Sequence, residues 1–388
     1  MNLLLVATKA PWPPVDGGRF LLLNTLEALA TAGCRITLVA PVDLEAFDLS
    51  RVSRELTPWC EPVLVPAAPL PKALALFHSW GAPFSISRHS LTVIRKAVEE
   101  RLAAERFDLV HAEQLQALSQ AEPAFARGIP VVLRAQNVES DLWTAAARRE
   151  KGLRGKLLRW EARRLAAWEG EAVRRAAATL ALTQEDAARL SELAGGGGRV
   201  RVVRAPFPEL PAGSGRLAGE PTVVVFGSRG WMPNEDSASW FLQEVWPSVQ
   251  AELAGAVLHL FGSAPSAVPA GVEIHPPPGD SAEAFPPGSI LAVPLRIASG
   301  VRIKILEAWA RGVPVVATPA ALAGLEVEDG REALIARTPR DFAVALCRLH
   351  QKPVLAASLA EAGRRARGER HDPGEIARRL IEEYGEIR

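Results

Sequence analysis

The sequence predicts an α/β protein made of two doubly wound domains, each with a parallel β-sheet. Short apolar runs alternate with helical patterns, as buried parallel strands and their crossover helices do. This alternation occurs twice, in residues 1–205 and in residues 222–371, and a stretch rich in Pro, Gly and Ala at 206–221 separates the two as a linker. With 388 residues, 48% of them hydrophobic, the chain is long enough for two cores.

The first domain is expected to begin with a buried strand at residues 2–8, followed by a loop rich in proline and glycine. A helix follows at 19–32, because Leu22, Leu26 and Leu29 recur at helical spacing. An Arg-rich helical segment is predicted at 143–178. Further short apolar runs predict strands at 35–40, 63–65, 107–111, 129–135, 179–183 and 200–205.

The second domain repeats the pattern, with strands predicted at 222–226, 257–261 and 290–295. Helices are expected in the tail near 340–350, 354–367 and 373–386. The last of these carries an apolar stripe that must be buried, formed by Ile376, Leu380, Ile381 and Tyr384.

Composition narrows the class of protein. The net charge of +1, without a basic domain that interleaves aromatic residues, argues against a nucleic-acid partner. No run approaches the roughly 18 apolar residues of a membrane span, and the run at 3–7 is too short for a signal sequence. Cys34, Cys60 and Cys347 share no metal-ligand spacing and indicate a reducing, cytoplasmic location. The seven histidines are scattered, so we expect no metal site.

The Arg-rich segment at 143–178 has an apolar side formed by Trp160, Leu165 and Trp168. Such a face is a candidate for peripheral contact with the inner face of a membrane or with an anionic acceptor. The alternative is an ordinary solvated helix, because arginine is frequent throughout this chain.

The most informative stretch runs from Ser299 to Gly330. A turn at Ser299 and Gly300 leads from an apolar strand into a helix that ends near Gly312, and such a turn leaves helix N–H groups available to an anion. Arg302 and Lys304 add two cations to the first turn, where they oppose the helix dipole unless a negative ligand meets them.

Glu307 lies one turn further along that helix, where a carboxylate can accept two hydrogen bonds from a ribose diol. The alternative is an ordinary amphipathic helix: Lys304 and Glu307 form an i,i+3 surface pair, and Ile303, Leu306 and Ala310 are its buried stripe.

Two loops of the first domain follow predicted strands, at the sheet edge where ligands of doubly wound folds bind. One contains Gly17 and Gly18, and the other contains Gln136 and Asn137. The glycine pair does not form the G-x-G-x-x-G fingerprint, so a plain helix-entry turn is the alternative there.

Taken together, these motifs resemble a known family. The segment from Ser299 to Thr318, SGVRIKILEAWARGVPVVAT, is similar to the donor-site signature of the retaining glycosyltransferases of family four, which have the GT-B fold. The segment QNVES at 136–140 is similar to HNVES of the branch that assembles exopolysaccharides or envelope glycans. The resemblance implies two Rossmann-like domains whose parallel sheets face a central cleft. It also implies that residues 372–388 return to the first domain.

The resemblance further implies a nucleotide-sugar donor as substrate, no cofactor, and an acceptor that is a glycan, a lipid-linked molecule or a small molecule. Glu307 corresponds to the second glutamate of the family's E-x7-E pattern, whereas Ser299 stands at the first. Gln136 occupies a position where relatives carry histidine. The donor-binding residues implied are Gly17, Gly18, Gly227, Trp231, Asn234, Ser299, Gly300, Val301 and Glu307, and the catalytic ones are Arg302, Lys304, Gln136 and Asn137.

The chain contains no D-x-D motif to hold a divalent ion on a diphosphate. We therefore expect transfer without a metal, with Arg302, Lys304 and a helix N-terminus balancing the charge of the leaving nucleotide. Two alternatives stay open at this level. One is a sugar-nucleotide epimerase of the same fold, which would use Glu113, Glu139 or His111 as acid or base. The other is a non-catalytic sugar-nucleotide-binding scaffold, which Ser299 and Gln136 favour.

Overall fold

The computed structural model describes residues 1–72, 74–75, 80–226, 232–262, 268–278, 281–296 and 300–387, without side-chain detail at 232–235. Contacts divide the chain into two compact units. The first unit contains Met1–Pro206, Ser299–Val301 and Pro373–Arg388, and the second contains Phe207–Ala298 and Arg302–Asp372. Each unit has its own parallel sheet, which confirms the predicted fold class.

The first unit has a seven-stranded sheet in the order β3-β2-β1-β4-β5-β6-β7, and every neighbouring pair is parallel. Its central strands are apolar on both faces because helices cover both sides; Leu3 to Val6 have no exposed surface. The strands are β1 (Asn2–Ala7), β2 (Arg35–Val42), β3 (Glu61–Pro66), β4 (Leu109–Glu113), β5 (Val131–Ala135), β6 (Ala178–Ala181) and β7 (Val200–Val202).

The helices described in the first unit are α1 (Gly17–Thr31), α2 (Leu49–Leu56), α3 (Phe84–His89), α4 (Thr92–Ala104), α5 (Leu115–Leu118), α6 (Glu122–Ala126), α7 (Glu139–Arg149), α8 (Gly152–Arg175) and α9 (Gln184–Leu193). The Arg-rich segment predicted to be helical at 143–178 forms two helices: α7 ends at Arg149 and α8 begins at Gly152, whose positive φ of 65° turns the chain between them. No helix in the described ranges is long and apolar enough to cross a membrane.

The second unit has a six-stranded parallel sheet in the order β10-β9-β8-β11-β12-β13. Its strands are β8 (Thr222–Phe226), β9 (Val257–Phe261), β10 (Val272–His275), β11 (Ile290–Val293), β12 (Val315–Ala317) and β13 (Leu334–Ile335). The helices described here are α10 (Met232–Trp240), a π-helical turn (Phe241–Val245), α11 (Trp246–Glu252), a 3₁₀ turn (Ser281–Ala284), α12 (Ile303–Ala310), α13 (Pro319–Leu322), α14 (Pro339–Gln351) and α15 (Pro353–His371).

The last helix, α16 (Pro373–Gly385), belongs to the first unit and packs beside α1. Ile376, Leu380 and Tyr384 are buried in the same cluster as Leu22 and Leu26 of α1. The apolar stripe of the tail is therefore a part of the first core.

Candidate functional site

In the second unit, Lys304 lies in the first turn of α12, which no side chain caps. Its ammonium sits over the ring of Phe226 at the end of β8, with Nζ 4.7 Å from the ring centroid. Burial lowers the pKa of Lys304 to about 7; the Glu307 carboxylate opposes this shift and the Arg302 charge adds to it. A bound anion would raise this pKa again, so that the amine takes up a proton from solvent.

Glu307 is nearly buried on the same helix and forms an ion pair with Arg311. Arg311 donates from Nε to Glu307 Oε1 at 3.2 Å, and its other nitrogens donate to the carbonyl of Pro211 and to the hydroxyl of Ser281. Burial raises the pKa of Glu307, although hydrogen bonding from Ser281 and the charges of Arg311 and Lys304 oppose the rise. The contact with Arg311 therefore fixes the orientation of the Glu307 carboxylate.

A row of rings lies at the carboxyl ends of the strands beside Lys304. Phe226 stacks on Phe261 of β9 with centroids 5.6 Å apart and contacts Phe285 at 5.2 Å. Phe261 in turn stacks on His275 of β10 at 4.6 Å. These rings contribute to the burial that disfavours the charged form of Lys304, although the face of the Phe226 ring itself attracts the ammonium.

In the first unit, the predicted glycine loop is the entry to α1. Asp16 caps the helix by accepting from the Arg19 N–H at 3.0 Å, and it also accepts from Lys9 Nζ at 2.7 Å. Burial opposes ionisation of Asp16, but the charge and hydrogen bond of Lys9 and the Arg19 contacts hold its pKa below the ordinary value. Gly17 begins the helix, and a Cβ on Gly18 would lie 3.0 Å from Gln136 Oε1.

Gln136 is part of a hydrogen-bonded relay at the carboxyl ends of β1, β4 and β5. Thr8 Oγ1 donates to Gln114 Oε1 at 2.7 Å, and Gln114 Nε2 donates to Gln136 Oε1 at 2.8 Å. Gln136 Nε2 then donates to Glu113 Oε1, also at 2.8 Å. Both amide orientations follow from this pattern, because Glu113 can only accept.

The other carboxylate oxygen of Glu113 contacts a second chain of hydrogen-bonded side chains. His111 Nε2 lies 2.9 Å from Glu113 Oε2, and His111 Nδ1 lies 2.6 Å from the Tyr384 hydroxyl of α16. Burial works against the charge on Glu113, but hydrogen bonds from His111 and Gln136 and the charges of His111 and Arg134 hold its pKa below the ordinary value.

Two of the three acid and base residues suggested for an epimerase are therefore committed to the protein's own structure. Glu113 and His111 are buried and bonded to one another. Glu139, the third, begins α7 and lines a pocket of the first unit, and burial raises its pKa. Its own N–H donates to the buried carboxylate of Glu169, which caps α7.

A pocket of about 250 Å³ opens beside this relay in the first unit. Phe47 stands on an apolar wall, and the polar lining includes the cations of Lys9 and Arg19, the carboxylates of Asp43 and Glu139, and Thr8 and Gln114. Arg19 is held over the Phe47 ring at 4.9 Å from its centroid, so one cation faces the pocket in a fixed position.

Of the other residues implied by the resemblance, Gly227, Trp231 and Ser299 lie outside the described residues. Asn234 lies in α10, and Val301 is buried. The Gly300 N–H, expected to reach a ligand, donates instead to Asp186 Oδ2 at 3.1 Å within the first unit. Asn137 lies beside it, because a Cβ on Gly300 would approach Asn137 Oδ1 to 2.6 Å.

Sequence reasoning missed three residues that organise these two groups: Arg311, Gln114 and Lys9. Arg311 stands four residues after Glu307, and an acid followed by a base at that spacing was an available signal. Gln114 has φ of 75°, which no sequence pattern indicates, and this conformation aims its amide between Thr8 and Gln136.

Family models match both parts of the chain. Residues 17–208 match the model described as glycosyl transferase 4-like domain, and residues 220–352 match the one described as glycosyl transferases group 1. The chain therefore belongs to the glycosyltransferases, with one such domain in each half. No curated protein sequence matches it.

Solved structures show the same fold. Sucrose-phosphate synthase from Thermosynechococcus elongatus is 15% identical with a TM-score of 0.67, over 100% of this chain and 98% of that one. Anabaena HepE in complex with UDP-glucose is 14% identical with a TM-score of 0.65, over 100% of both chains. WaaG, a glycosyltransferase involved in lipopolysaccharide biosynthesis, is 14% identical with a TM-score of 0.60, over 98% of this chain and 99% of that one. These likenesses establish the GT-B fold.

Proposed function

We propose that this glycosyltransferase moves a sugar from a nucleotide-sugar donor to a hydroxyl acceptor, with retention, in the synthesis of an exopolysaccharide or envelope glycan. The observation that carries the proposal is the start of α12, where Lys304 and Glu307 stand one turn apart beside an uncapped helix N-terminus. A diphosphate needs cations and N–H donors, and a ribose needs a carboxylate. The solved UDP-glucose complex of HepE, a protein of the same fold, supports this class of donor.

In this proposal Lys304 and Arg302 balance the charge that develops on the departing nucleotide, and Glu307 holds the ribose. The acceptor hydroxyl attacks the anomeric carbon while the leaving phosphate takes its proton, so no protein nucleophile is required. Gln136 is fixed by Glu113 and Gln114, and it offers a positioned amide rather than an acid or a base.

The pocket beside Thr8, Lys9 and Arg19 is our candidate for the acceptor site. Its amide, hydroxyl and cationic groups suit the hydroxyls of a sugar and the negative charge of a phosphate-linked acceptor. The apolar side predicted for the Arg-rich segment is wrong in part, because Leu165 is fully buried and Trp168 packs against the core. Peripheral membrane contact is proposed instead through the exposed Leu153, Leu157 and Trp160 of α8, which stand among its arginines.

The test is incubation of the purified chain with a panel of radiolabelled nucleotide sugars, followed by separation of the products. We expect slow hydrolysis of one donor, with the released sugar in the configuration of the donor. Conversion of the donor to an isomer would indicate an epimerase. Binding without any turnover of the panel would indicate a scaffold.

Nucleotide binding is expected to depend on pH through Lys304. Its pKa is about 7 in the free protein, and a bound diphosphate must raise it, so binding above pH 7 takes up a proton. Affinity should therefore fall by up to about 10-fold per pH unit between pH 7 and 9. Calorimetric titration in buffers of different ionisation enthalpy measures the proton uptake directly.

The matched control is Lys304→Arg, which keeps the charge at every pH in this range and should bind nucleotide without that proton uptake. Equal proton uptake by this variant and the unaltered chain would assign the proton to another group.

Turnover is expected to continue in excess chelator, because the chain has no D-x-D motif to hold Mg²⁺ and has Lys304 and Arg302 at the start of α12. Initial rates with and without chelator should agree within about twofold. Loss of turnover that Mg²⁺ or Mn²⁺ restores would contradict the proposal.

A further inference from the structure

Three side chains on neighbouring strands of the second unit converge away from α12. Glu273 of β10 pairs directly with His259 of β9, and His275 lies two residues further along the same face. His259 Nδ1 is 2.9 Å from His275 Nε2 and 3.4 Å from Glu273 Oε2, and His275 Nε2 is 3.8 Å from that oxygen. Two imidazole nitrogens and one carboxylate oxygen thus form a compact triangle.

We propose that His259, Glu273 and His275 bind a divalent first-row transition metal, with Zn²⁺ the best fit. A circle through the three atoms has a radius of about 2.0 Å, so an ion near its centre would lie at ordinary Zn–N and Zn–O distances from all three. Two histidines and one glutamate leave a fourth tetrahedral position for water. Imidazole with carboxylate also favours Zn²⁺ over Mg²⁺ or Ca²⁺.

The surroundings of His259 resemble the support that a metal ligand needs. The ring has no exposed surface, and its Nε2–H donates to the carbonyl of Ala218 at 2.9 Å. This bond leaves the lone pair on Nδ1 directed at His275 and Glu273. The His275 ring is held by stacking on Phe261, at 4.6 Å between centroids.

The other two ligands give the ion a route from solvent. The Glu273 side chain is 51% exposed and that of His275 is 26% exposed. Without metal, His275 Nε2–H donates to His259 Nδ1. On binding, this contact is replaced by two metal–nitrogen bonds, and the proton of the neutral His275 ring moves to its Nδ1. The exchange needs no other reactant.

The proposed role of this ion is structural. β10 is one of the two edge strands of the sheet, and it is less apolar than its neighbours β9 and β8. A shared ion ties β10 to β9 and, through His259, to the Ala218 segment. The rings of Phe261 and Phe226 lie between His275 and Lys304, so the ion does not touch the proposed diphosphate site.

The test uses the full chain after removal of metals with a chelator. We expect one Zn²⁺ per chain in competition with a chromophoric chelator, the intense visible absorption of tetrahedral Co²⁺ when that ion is used, and a thermal midpoint several degrees higher with Zn²⁺. Glu273→Gln and His275→Gln should each weaken Zn²⁺ binding at least 10-fold and abolish the thermal shift. Because both side chains are partly exposed, these variants should fold.

His350→Gln is the matched control. His350 and Cys347 stand three residues apart on α14 and could capture Zn²⁺ adventitiously. The inference is overturned if the chain binds no Zn²⁺, if Glu273→Gln and His275→Gln bind as the unaltered chain does, or if His350→Gln removes the binding. Glu273→Gln also separates this inference from the proposed reaction. Chelator should lower the stability of the unaltered chain, but it should not change the turnover of this variant.

Discussion

Replacing Glu307 with alanine is expected to weaken binding of a nucleoside diphosphate by about 1.5–3 kcal/mol, or roughly 10- to 150-fold. The reason is the loss of the charge-assisted hydrogen bonds that we propose between this carboxylate and the ribose hydroxyls. Calorimetric titration of the variant with nucleoside diphosphates measures the effect. An unchanged dissociation constant would show that Glu307 pairs with Arg311 but does not bind the nucleotide.

The structure shows that Glu307→Ala should also lower the stability of the fold, which the helix pattern alone does not reveal. Glu307 and Arg311 are both nearly buried and joined at 3.2 Å, so Glu307→Ala leaves the Arg311 charge without its partner. Removing one member of a buried ion pair costs about 3–5 kcal/mol of stability. The variant must therefore be examined well below its unfolding temperature.

Two further variants separate the loss of binding from the loss of stability. Glu307→Gln keeps the volume and an oxygen for Arg311 but removes the charge, so it should weaken nucleotide binding with a smaller thermal shift. Arg311→Lys keeps a cation beside Glu307 but loses the contacts to Pro211 and Ser281. It should lower stability and leave the dissociation constant within about twofold. A large loss of affinity in Arg311→Lys would mean that packing, rather than the Glu307 charge, controls binding.

The main strands could be predicted from the sequence because parallel strands buried on both faces read as continuous apolar runs. Leu3 to Val6 and Val223 to Val225 are examples, and each is almost fully buried. The strand β10, VEIH, was missed because an edge strand alternates polar and apolar residues and is short. The convergence of His259 and His275 was invisible for the same reason, since they meet only once the register of β10 on β9 is known.

The residues of the candidate site also fall into two groups, those that local sequence spacing indicates and those that only the tertiary structure brings together. The roles of Lys304 and Glu307 rest on local helical spacing, which a sequence displays. The relay through Gln114, Gln136 and Glu113 rests on the sheet order, which places β4 beside β5, and on the unusual φ of Gln114. Long-range pairing of this kind follows from tertiary structure, so the sequence could name Gln136 but not its partners.

The tail helix offers the second large effect, because α16 completes the core of the first unit. Leu380 and Tyr384 have no exposed surface, and they pack in one cluster with Leu3 and Leu5 of β1. At the end of the helix, Arg199 pairs with Glu383 at 3.0 Å. Residues nearly two hundred positions apart are thereby joined in one folding unit.

Leu380→Ala is expected to destabilise the first unit by about 2–5 kcal/mol, because it opens a cavity in a core that cannot fully close around it. Tyr384→Phe should cost about 1–3 kcal/mol, since it leaves the buried His111 Nδ1 without the hydroxyl that faces it at 2.6 Å. Hydrogen exchange of β1 and β4 peptides measures both effects, and exchange of β8 and β11 in the second unit provides the internal reference. Arg378→Ala, on the exposed face of α16 where it pairs with the exposed Glu375, should change stability by less than about 0.5 kcal/mol. Unaltered protection of β1 in Leu380→Ala would contradict this prediction, because it would show that the packing of α16 contributes little to the stability of the first unit.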